Sequence, residues 1–294
     1  MDIKQAAVLA KSAAIKLAAV NTETKNRALA DIAQALEDKK AEIAAANRAD
    51  LERSEAENLA APLLKRLRFD ETKIIDSCQG LKSLIDLEDP VGRTLSALEL
   101  DEGLELFQVT CPIGVIGVIF ESRPDALVQI SALCLKSGNA VLLKGGSEAA
   151  ETNRILADII TEASVRAGIP EGWLALMETR SDVADMLSME GQIDLIIPRG
   201  SNEFVQHIMA NTNVPVLGHA DGICHVYVDD EADLSKAYDV CFDSKVQYPA
   251  VCNAMETLLV HEKVAEKFLP TMAKMLDEAG VEMRCDEQSY AILE

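Results

Sequence analysis

In residues 1 to about 90, apolar residues recur at helical spacing. This part of the chain is rich in Ala, Leu, Lys and Glu, which favour helices. One apolar stripe with this spacing consists of Leu29, Ile32, Ala33 and Leu36. A stripe of this kind covers one face of a helix and leaves the opposite face polar. We therefore expect a helical layer that packs on the chain's own domain, in preference to a helix that binds a separate partner.

The pattern changes between residues 93 and 110, where short alternating stretches flank the sequence Asp101-Glu-Gly103. Two alternating runs around a glycine turn are typical of a β-hairpin. Two exposed strands of this length need a cover. We therefore expect residues 93–110 to form an oligomerisation hairpin, and the full-length protein to be a homo-oligomer.

After the hairpin, buried strands and helices alternate. The run Ile113–Phe120 is almost continuously apolar, a helix is expected from Pro124, and Ala140–Leu143 is a second apolar run. Further strands are expected at 173–177, 193–197 and 214–217, with helices between them. This alternation predicts the α/β class, with an open parallel Rossmann-type sheet.

Several chemically useful residues follow the predicted strands, where open parallel sheets bind their ligands. They are Ser122, Arg123, Lys144, Gly145, Gly146 and Ser147. Gly200 and Ser201 open a further helix, whose free N–H groups and dipole can hold an anion. The alternative interpretation is that these two residues only start the helix, and that Arg123 and Arg199 form structural ion pairs.

The last part of the chain holds a cysteine in an irregular setting. Cys252 follows Pro249, which disfavours a helix, and precedes the apolar run 257–260, which is typical of a short buried strand. Cys252 is therefore expected on a loop at a strand edge. Such a loop can hold a nucleophile, although a lone cysteine is more often a small core residue.

Composition narrows the classes of partner. The net charge is −21, which argues against nucleic acid or an anionic membrane as a partner. The chain holds no run of about 18 apolar residues, so no membrane span is expected. The seven cysteines are scattered and include no CxxC pair, which suits a reducing cytoplasm and indicates neither a disulfide framework nor a metal site.

Three stretches in this order, PIGVIGVIFESRPDALVQISALCLKSGNAVLLKGGSEA, LIIPRGSNEF and VCNAMETLLV, resemble the aldehyde dehydrogenase superfamily. Within it they resemble the branch that reduces an acyl phosphate in proline biosynthesis. The resemblance implies a cofactor lobe at 1–217 and the first part of a catalytic lobe at 218–294. Because members of the family continue further, we expect this chain to bind cofactor weakly, turn over poorly and aggregate readily.

The resemblance also implies site residues. Cys252 matches the catalytic thiol, Lys144 the lysine that holds the adenosine ribose, and Gly200-Ser201 the pair beneath the cofactor pyrophosphate. Ser147 stands where relatives that prefer NAD often carry an acid. A serine there would not repel a 2′-phosphate, so NADP(H) is the expected cofactor.

Two positions depart from the superfamily pattern. Ser122 lies near the position of the oxyanion asparagine, which leaves the backbone N–H of Cys252 and the side chain of Asn253 as candidate oxyanion donors. Gly218 lies near the position at which hydrolytic relatives carry the glutamate that activates water. The lack of that glutamate is expected in a branch whose acyl group passes to phosphate and not to water. The implied reaction is reduction of L-glutamyl 5-phosphate to the 5-semialdehyde through a cysteine thioester, with Arg123 or Arg199 holding the phosphate or α-carboxylate.

Other functions are kept as alternatives. The chain could be another acylating or phosphorylating aldehyde dehydrogenase, or an inactive fragment with a role in assembly. It could also be a thiol hydrolase without cofactor, which would pair Cys252 with His219 or His225. His225 opens a predicted buried strand, however, where a core histidine is the commoner interpretation.

Overall fold

The structure is a computed structural model that describes residues 2–121, 123–179, 181–218, 222–249 and 251–294. Its backbone contacts divide the chain into two compact units, Met1–His219 and Ala220–Glu294. Within the described ranges, every helix is too short or too polar to cross a membrane.

The first unit begins with a layer of helices, as the apolar spacing predicts. Asn21 caps the second helix, since its side chain accepts a hydrogen bond from the Thr24 amide at 2.9 Å. The stripe from Leu29 to Leu36 is buried, which confirms that it packs on its own unit. The helices are α1 (Ile3–Leu17), α2 (Thr22–Asp38), α3 (Lys40–Ala56), α4 (Ala61–Leu67) and α5 (Glu71–Asp86).

The predicted hairpin is confirmed. Strands β1 (Thr94–Asp101) and β2 (Leu104–Val109) pair antiparallel, and Gly103 closes the turn with φ of +75°, which favours glycine. Every residue of both strands is exposed within this chain, and apolar side chains occur on both faces of the ribbon. An isolated hairpin with this much exposed apolar surface needs a cover.

A four-stranded parallel sheet forms the centre of the first unit, with the order β5-β4-β3-β6. The predicted strand at 214–217 is wrong, because Val216 makes only an isolated bridge to Ile196. Pro215 lacks an N–H group, so the segment cannot continue the ladder. The strands are β3 (Val115–Ile119), β4 (Ala140–Lys144), β5 (Leu174–Met177) and β6 (Leu195–Pro198).

Helices cover this sheet. Helix α1 packs on β3, β4 and β5 and contacts α8, whereas α6 and α7 contact each other and α2. Right-handed crossovers place α6 and α7 on one face and α8 on the other. These helices are α6 (Pro124–Lys136), α7 (Ala150–Arg166), α8 (Ser181–Leu187) and α9 (Asn202–Ala210), and a short 3-10 turn (Ser147–Ala149) precedes α7.

The second unit is a smaller α/β layer. Two parallel strands, β7 (Cys224–Val228) and β8 (Met255–Val260), pack with their helices around a core that includes Val228, Cys241 and Phe268. The Tyr238 ring stacks on Phe268 with centroids 4.8 Å apart. The helices are α10 (Leu234–Val246), α11 (Glu262–Glu278) and α12 (Glu287–Leu293), the last of which was not predicted.

Two buried lysines of the first unit interact with the carboxylate of Asp89, Lys25 as an ion pair and Lys136 through its charge. Lys25 and Lys136 are both only 2% exposed, and the Lys25 Nζ lies 2.5 Å from Asp89 Oδ2. Burial opposes ionisation of Asp89, but hydrogen bonds from Lys25 and from the Val91 amide outweigh it, so its pKa lies below the usual value. Burial lowers the pKa of the Lys136 ammonium, which Asp89 partly offsets.

We expect Asp89→Asn to destabilise the chain by about 3 kcal/mol at neutral pH, because a buried cation loses its partner. The folded pKa of Asp89 lies below the unfolded value, so its stabilisation is complete above the unfolded pKa and is lost as the pH falls through the folded one. Urea unfolding at about pH 6 and about pH 3 should therefore show the difference between variant and parent shrinking in acid. Asp158→Asn, at an exposed position of α7, is the control, and an equal effect of both substitutions would contradict the buried pair.

Candidate functional site

The carboxyl ends of the central strands bring several predicted residues to one edge of the sheet. Ile119 is paired with Lys144 on one side and with Pro198 on the other. The Arg199 amide donates to the Ile119 carbonyl at 2.7 Å. The loops that carry Arg123, Lys144 and Arg199 therefore start from neighbouring strand ends, whereas Ser122 lies outside the described residues.

Both arginines of this edge are exposed. Neither Arg123 nor Arg199 forms a side-chain hydrogen bond or ion pair with another described residue. The structural ion pairs considered as an alternative are therefore not seen in the described part of the chain. Both guanidinium groups can still pair with an anion such as a phosphate or carboxylate.

The loop after β4 is shaped by its two glycines. The Lys144 side chain is buried, and its Nζ donates to the Gly145 carbonyl at 2.6 Å. A Cβ on Gly145 would overlap the amide of Asn153, and one on Gly146 would overlap the carboxylate of Glu148. Glycine at both positions lets the backbone pass close to these side chains.

Asn153 lies beneath this loop on the first turns of α7. Its side chain is only 2% exposed, and its Oδ1 atom has no hydrogen-bond partner among the described residues. The amide fills the space that the missing Cβ of Gly145 leaves. Asn153 and Gly145 therefore form one packed unit, which the sequence pattern did not indicate.

Helix α3 holds the other side of the same loop through Asp50. The Asp50 side chain is fully buried and accepts hydrogen bonds from the Glu151 and Thr152 amides at 3.2 and 2.8 Å and from Thr152 Oγ1 at 2.7 Å. It thereby acts as the cap of α7, although it lies about a hundred positions away in the sequence. Asn47 supports the arrangement by donating to Thr152 Oγ1 at 3.2 Å.

The Gly200-Ser201 pair does open a helix. Ser201 caps α9, since its Oγ accepts from the Phe204 amide at 3.3 Å. Gly200 leaves room for Phe204 and for the Glu121 carboxylate, whose Oε1 would lie 3.1 Å from a Cβ on Gly200. The capping role is thus visible in the structure, while anion binding by this helix start stays a prediction.

Cys252 lies on a turn between Val251 and Ala254, directly ahead of β8, which confirms its predicted local setting. Its side chain is exposed, as is that of Asn253. An exposed thiol on a turn anchored by a strand can reach a ligand, whereas a core cysteine cannot. This exposure contradicts the simpler interpretation of Cys252 as a small buried residue.

The start of β7 holds the backbone of Cys252 in place. Cys224 Sγ donates to the Cys252 carbonyl at 3.5 Å. A Cβ on Gly222 would overlap the same carbonyl oxygen and would lie 3.8 Å from the Cys252 Cβ. Sequence reasoning missed both residues, and the only available signal was that they precede a predicted strand in the same unit.

The geometry gives little support to the alternative of a thiol hydrolase in which a histidine pairs with Cys252. The expected burial of His225 is wrong, because β7 alternates between exposed and partly buried residues and His225 is on the exposed side. Its Nδ1 lies 2.7 Å from the Ile223 carbonyl oxygen, so this nitrogen is bound to the backbone. His219 lies outside the described residues.

Comparison with known proteins adds to this geometry. Residues 1–290 match the aldehyde dehydrogenase family. Among curated proteins, the chain is 65% identical to the gamma-glutamyl phosphate reductase of Pelotomaculum thermopropionicum, over 96% of this chain and 65% of that protein. It is 63% identical to the enzyme of the same name from Acetivibrio thermocellus, over 99% of this chain and 68% of that protein.

Among solved structures, the gamma-glutamyl phosphate reductase of Thermotoga maritima superposes with a TM-score of 0.94 at 37% identity, covering all of this chain and 71% of that one. The chain thus spans about two thirds of the length of the curated relatives it matches. The fold class expected from the strand and helix pattern is confirmed. With a parallel sheet, an exposed cysteine on a turn and these relatives, the chain belongs to the aldehyde dehydrogenase family, in the group of the gamma-glutamyl phosphate reductases.

Proposed function

We propose that this chain carries the cofactor and thiol parts of an enzyme that reduces L-glutamyl 5-phosphate to L-glutamate 5-semialdehyde, with NADPH as the reductant, in proline biosynthesis. The observation that carries the proposal is the exposed Cys252 on a turn fixed by Gly222 and Cys224. The names of the relatives supply the substrate.

The thiol chemistry follows from the residue type. The Cys252 thiolate attacks the acyl carbon of the substrate, forms a C–S bond and breaks the bond from that carbon to the phosphate oxygen, so that phosphate leaves with the electron pair. The carbonyl oxygen carries the developing negative charge, which the Cys252 N–H or the Asn253 amide stabilises. A bound NADPH would supply the hydride that reduces the resulting thioester to the aldehyde level.

Residues of the first unit fit such a cofactor. Gly145 and Gly146 let the loop after β4 pack closely on the unit, and Ser201 caps α9 at the same edge of the sheet. Lys144 would hold the adenosine ribose, and Arg123 or Arg199 would hold the phosphate or α-carboxylate of the substrate. No acid stands at Ser147, so a 2′-phosphate meets no repulsion from that side chain.

The reaction is tested in the reverse direction with glutamate semialdehyde, phosphate and NADP⁺. We expect NADPH to form only when all three are present, because the thioester is cleaved by phosphate. NADPH formation without phosphate would indicate that water takes the acyl group. In a separate assay with L-glutamyl 5-phosphate, release of phosphate and glutamate without any nucleotide would favour the thiol hydrolase.

Ser147→Glu should weaken NADPH binding about tenfold and leave NADH binding almost unchanged, because a carboxylate would repel the 2′-phosphate. Lys144→Ala is the matched variant and should weaken both cofactors, since the ribose is common to both. Titration calorimetry with each cofactor measures the effects. An equal loss of both cofactors in Ser147→Glu, or an unchanged affinity in Lys144→Ala, would contradict the assignment.

We also propose that the full-length protein is a cytoplasmic homo-oligomer. The fully exposed hairpin of β1 and β2, with apolar residues such as Leu98 and Phe107 on its surface, supports the oligomer. The seven cysteines, all of them free, support a reducing compartment, which a catalytic thiolate needs.

A further inference from the structure

Helix α3 brings a second basic residue to the loop after β4. The Arg53 Nη2 atom donates to the Ser147 carbonyl at 3.3 Å and to the Glu148 carbonyl at 3.2 Å. Arg53 lies 94 positions before Ser147 in the sequence, so only the fold brings the two together. The guanidinium is therefore next to the residue whose side chain we expect to face the 2′ position of the adenosine ribose.

The position of Arg53 is fixed by a buried carboxylate. Its Nη2 atom lies 2.5 Å from Asp50 Oδ1, and Asp50 is itself held by the Glu151 and Thr152 amides. The backbone amides at the start of α7 also donate hydrogen bonds to this carboxylate, so its negative charge is shared between the helix start and the guanidinium. Arg53 is thus oriented in advance of ligand binding, and its charge is only partly neutralised.

Arg53 keeps donors for a further partner. All three of its side-chain hydrogen bonds to described residues use Nη2, which leaves Nη1 and Nε without a partner among those residues. The side chain is 39% exposed, so these donors can be reached from solvent. An arginine in this state can donate charge-assisted hydrogen bonds to a phosphate oxygen.

Because the chain is strongly acidic, a phosphorylated ligand needs a cation close to its binding site. The net charge is −21, and Glu148 adds a carboxylate close to Gly146 in the same loop. A phosphate monoester carries close to two negative charges at neutral pH, so it needs a nearby cation to bind against this background. Lys144 is buried and donates to the Gly145 carbonyl, whereas Arg53 is the more exposed cation of the pair.

We propose that Arg53 is a specificity-determining residue that binds the 2′-phosphate of NADP(H). The inference rests on the proposed function, because it uses the cofactor site at the end of β4. It adds the cation that an uncharged Ser147 does not provide. Ser147 does not repel a 2′-phosphate, because its side chain carries no charge. Arg53 attracts the 2′-phosphate with its positive charge.

The test uses the whole chain and compares NADPH with NADH in titration calorimetry. Arg53→Met removes the charge and keeps most of the apolar stem, and Arg53→Lys keeps the charge. We expect Arg53→Met to weaken NADPH about tenfold and NADH less than twofold, and Arg53→Lys to retain most of the preference. The preference of the parent chain for NADPH should also fall as salt is added, because salt screens an exposed charge pair.

Arg154→Met is the matched control. Arg154 lies on α7, in the same part of the unit, but its guanidinium is already paired with Glu151 and Glu178. Its removal changes the net charge equally and should leave the NADPH to NADH ratio unchanged. If Arg154→Met lowers the ratio as much as Arg53→Met does, the effect is one of overall charge and the proposal is wrong.

Two other outcomes would overturn the proposal while leaving the reaction itself intact. Equal losses of NADPH and NADH in Arg53→Met would show that Arg53 only supports the loop through the Ser147 and Glu148 carbonyls. A parent chain that forms NADH as readily as NADPH from semialdehyde and phosphate would show that no residue selects the 2′-phosphate. Failure of the parent chain to bind either cofactor would overturn the proposed function together with this inference.

Discussion

Cys252→Ala is expected to lower turnover by a factor on the order of 10⁴ or more, because a methyl group cannot form the thioester. Cofactor binding should not change, since the residues proposed to hold NADPH belong to the other unit. The experiment measures the initial rate with semialdehyde, phosphate and NADP⁺, and the affinity for NADPH by calorimetry. Normal cofactor affinity would also show that the first unit of the variant is folded.

Cys285→Ala is the control for Cys252→Ala. Cys285 is exposed as well, but it lies in the irregular segment after α11, and its loss should leave turnover unchanged. Alkylation by iodoacetamide can be followed at each thiol separately, because trypsin releases Cys252 alone in residues 246–263. If inactivation followed modification of another cysteine, or if Cys252→Ala kept a substantial part of the activity, Cys252 would not be the nucleophile.

Gly222→Ala is expected to lower turnover by about a hundredfold, because the added methyl group would overlap the carbonyl oxygen of Cys252. The turn that carries the thiol must then shift by a fraction of an ångström or more, which misplaces the sulfur relative to the acyl carbon. The loss should appear mainly in kcat, while the affinity for NADPH stays as in the parent. Alkylation of Cys252 should change in rate as well, because the exposure of the thiol depends on the same turn.

The control for Gly222→Ala is Gly80→Ala. A Cβ on Gly80 would have no heavy atom within 4 Å, and Gly80 lies inside α5. Alanine there should leave turnover unchanged and raise stability by up to about 1 kcal/mol, since glycine is a poor helix former. Full activity of Gly222→Ala would mean that the backbone near Cys252 adapts freely, and that Gly222 does not position the thiol.

Much of the fold was predictable from local patterns. The stripe from Leu29 to Leu36 and the apolar runs at 113–120 and 140–143 indicate their elements because burial repeats with the period of a helix or fills a whole strand. The irregular setting of Cys252 was predicted from Pro249, since proline restricts the residue before it regardless of distant contacts. The exposure of the thiol was not predicted and is seen only in the structure. The segment at 214–217 does not form a strand, because Pro215 has no N–H group to donate to the ladder. The prediction followed the apolar residues of this segment and did not account for the missing donor.

By itself, the sequence determined the helical layer, the open parallel sheet, the order of the loops at its carboxyl edge and the irregular setting of Cys252. These features depend on residues that are close together along the chain. Only the tertiary structure decided which side chains support the site. Arg53 and Asp50 of α3 lie far from Ser147 and α7 in sequence. Hydrogen bonds and steric contacts act over a few ångströms in space and leave no periodic trace along the chain, so the partners of this loop and of the Cys252 carbonyl became visible only in the folded chain.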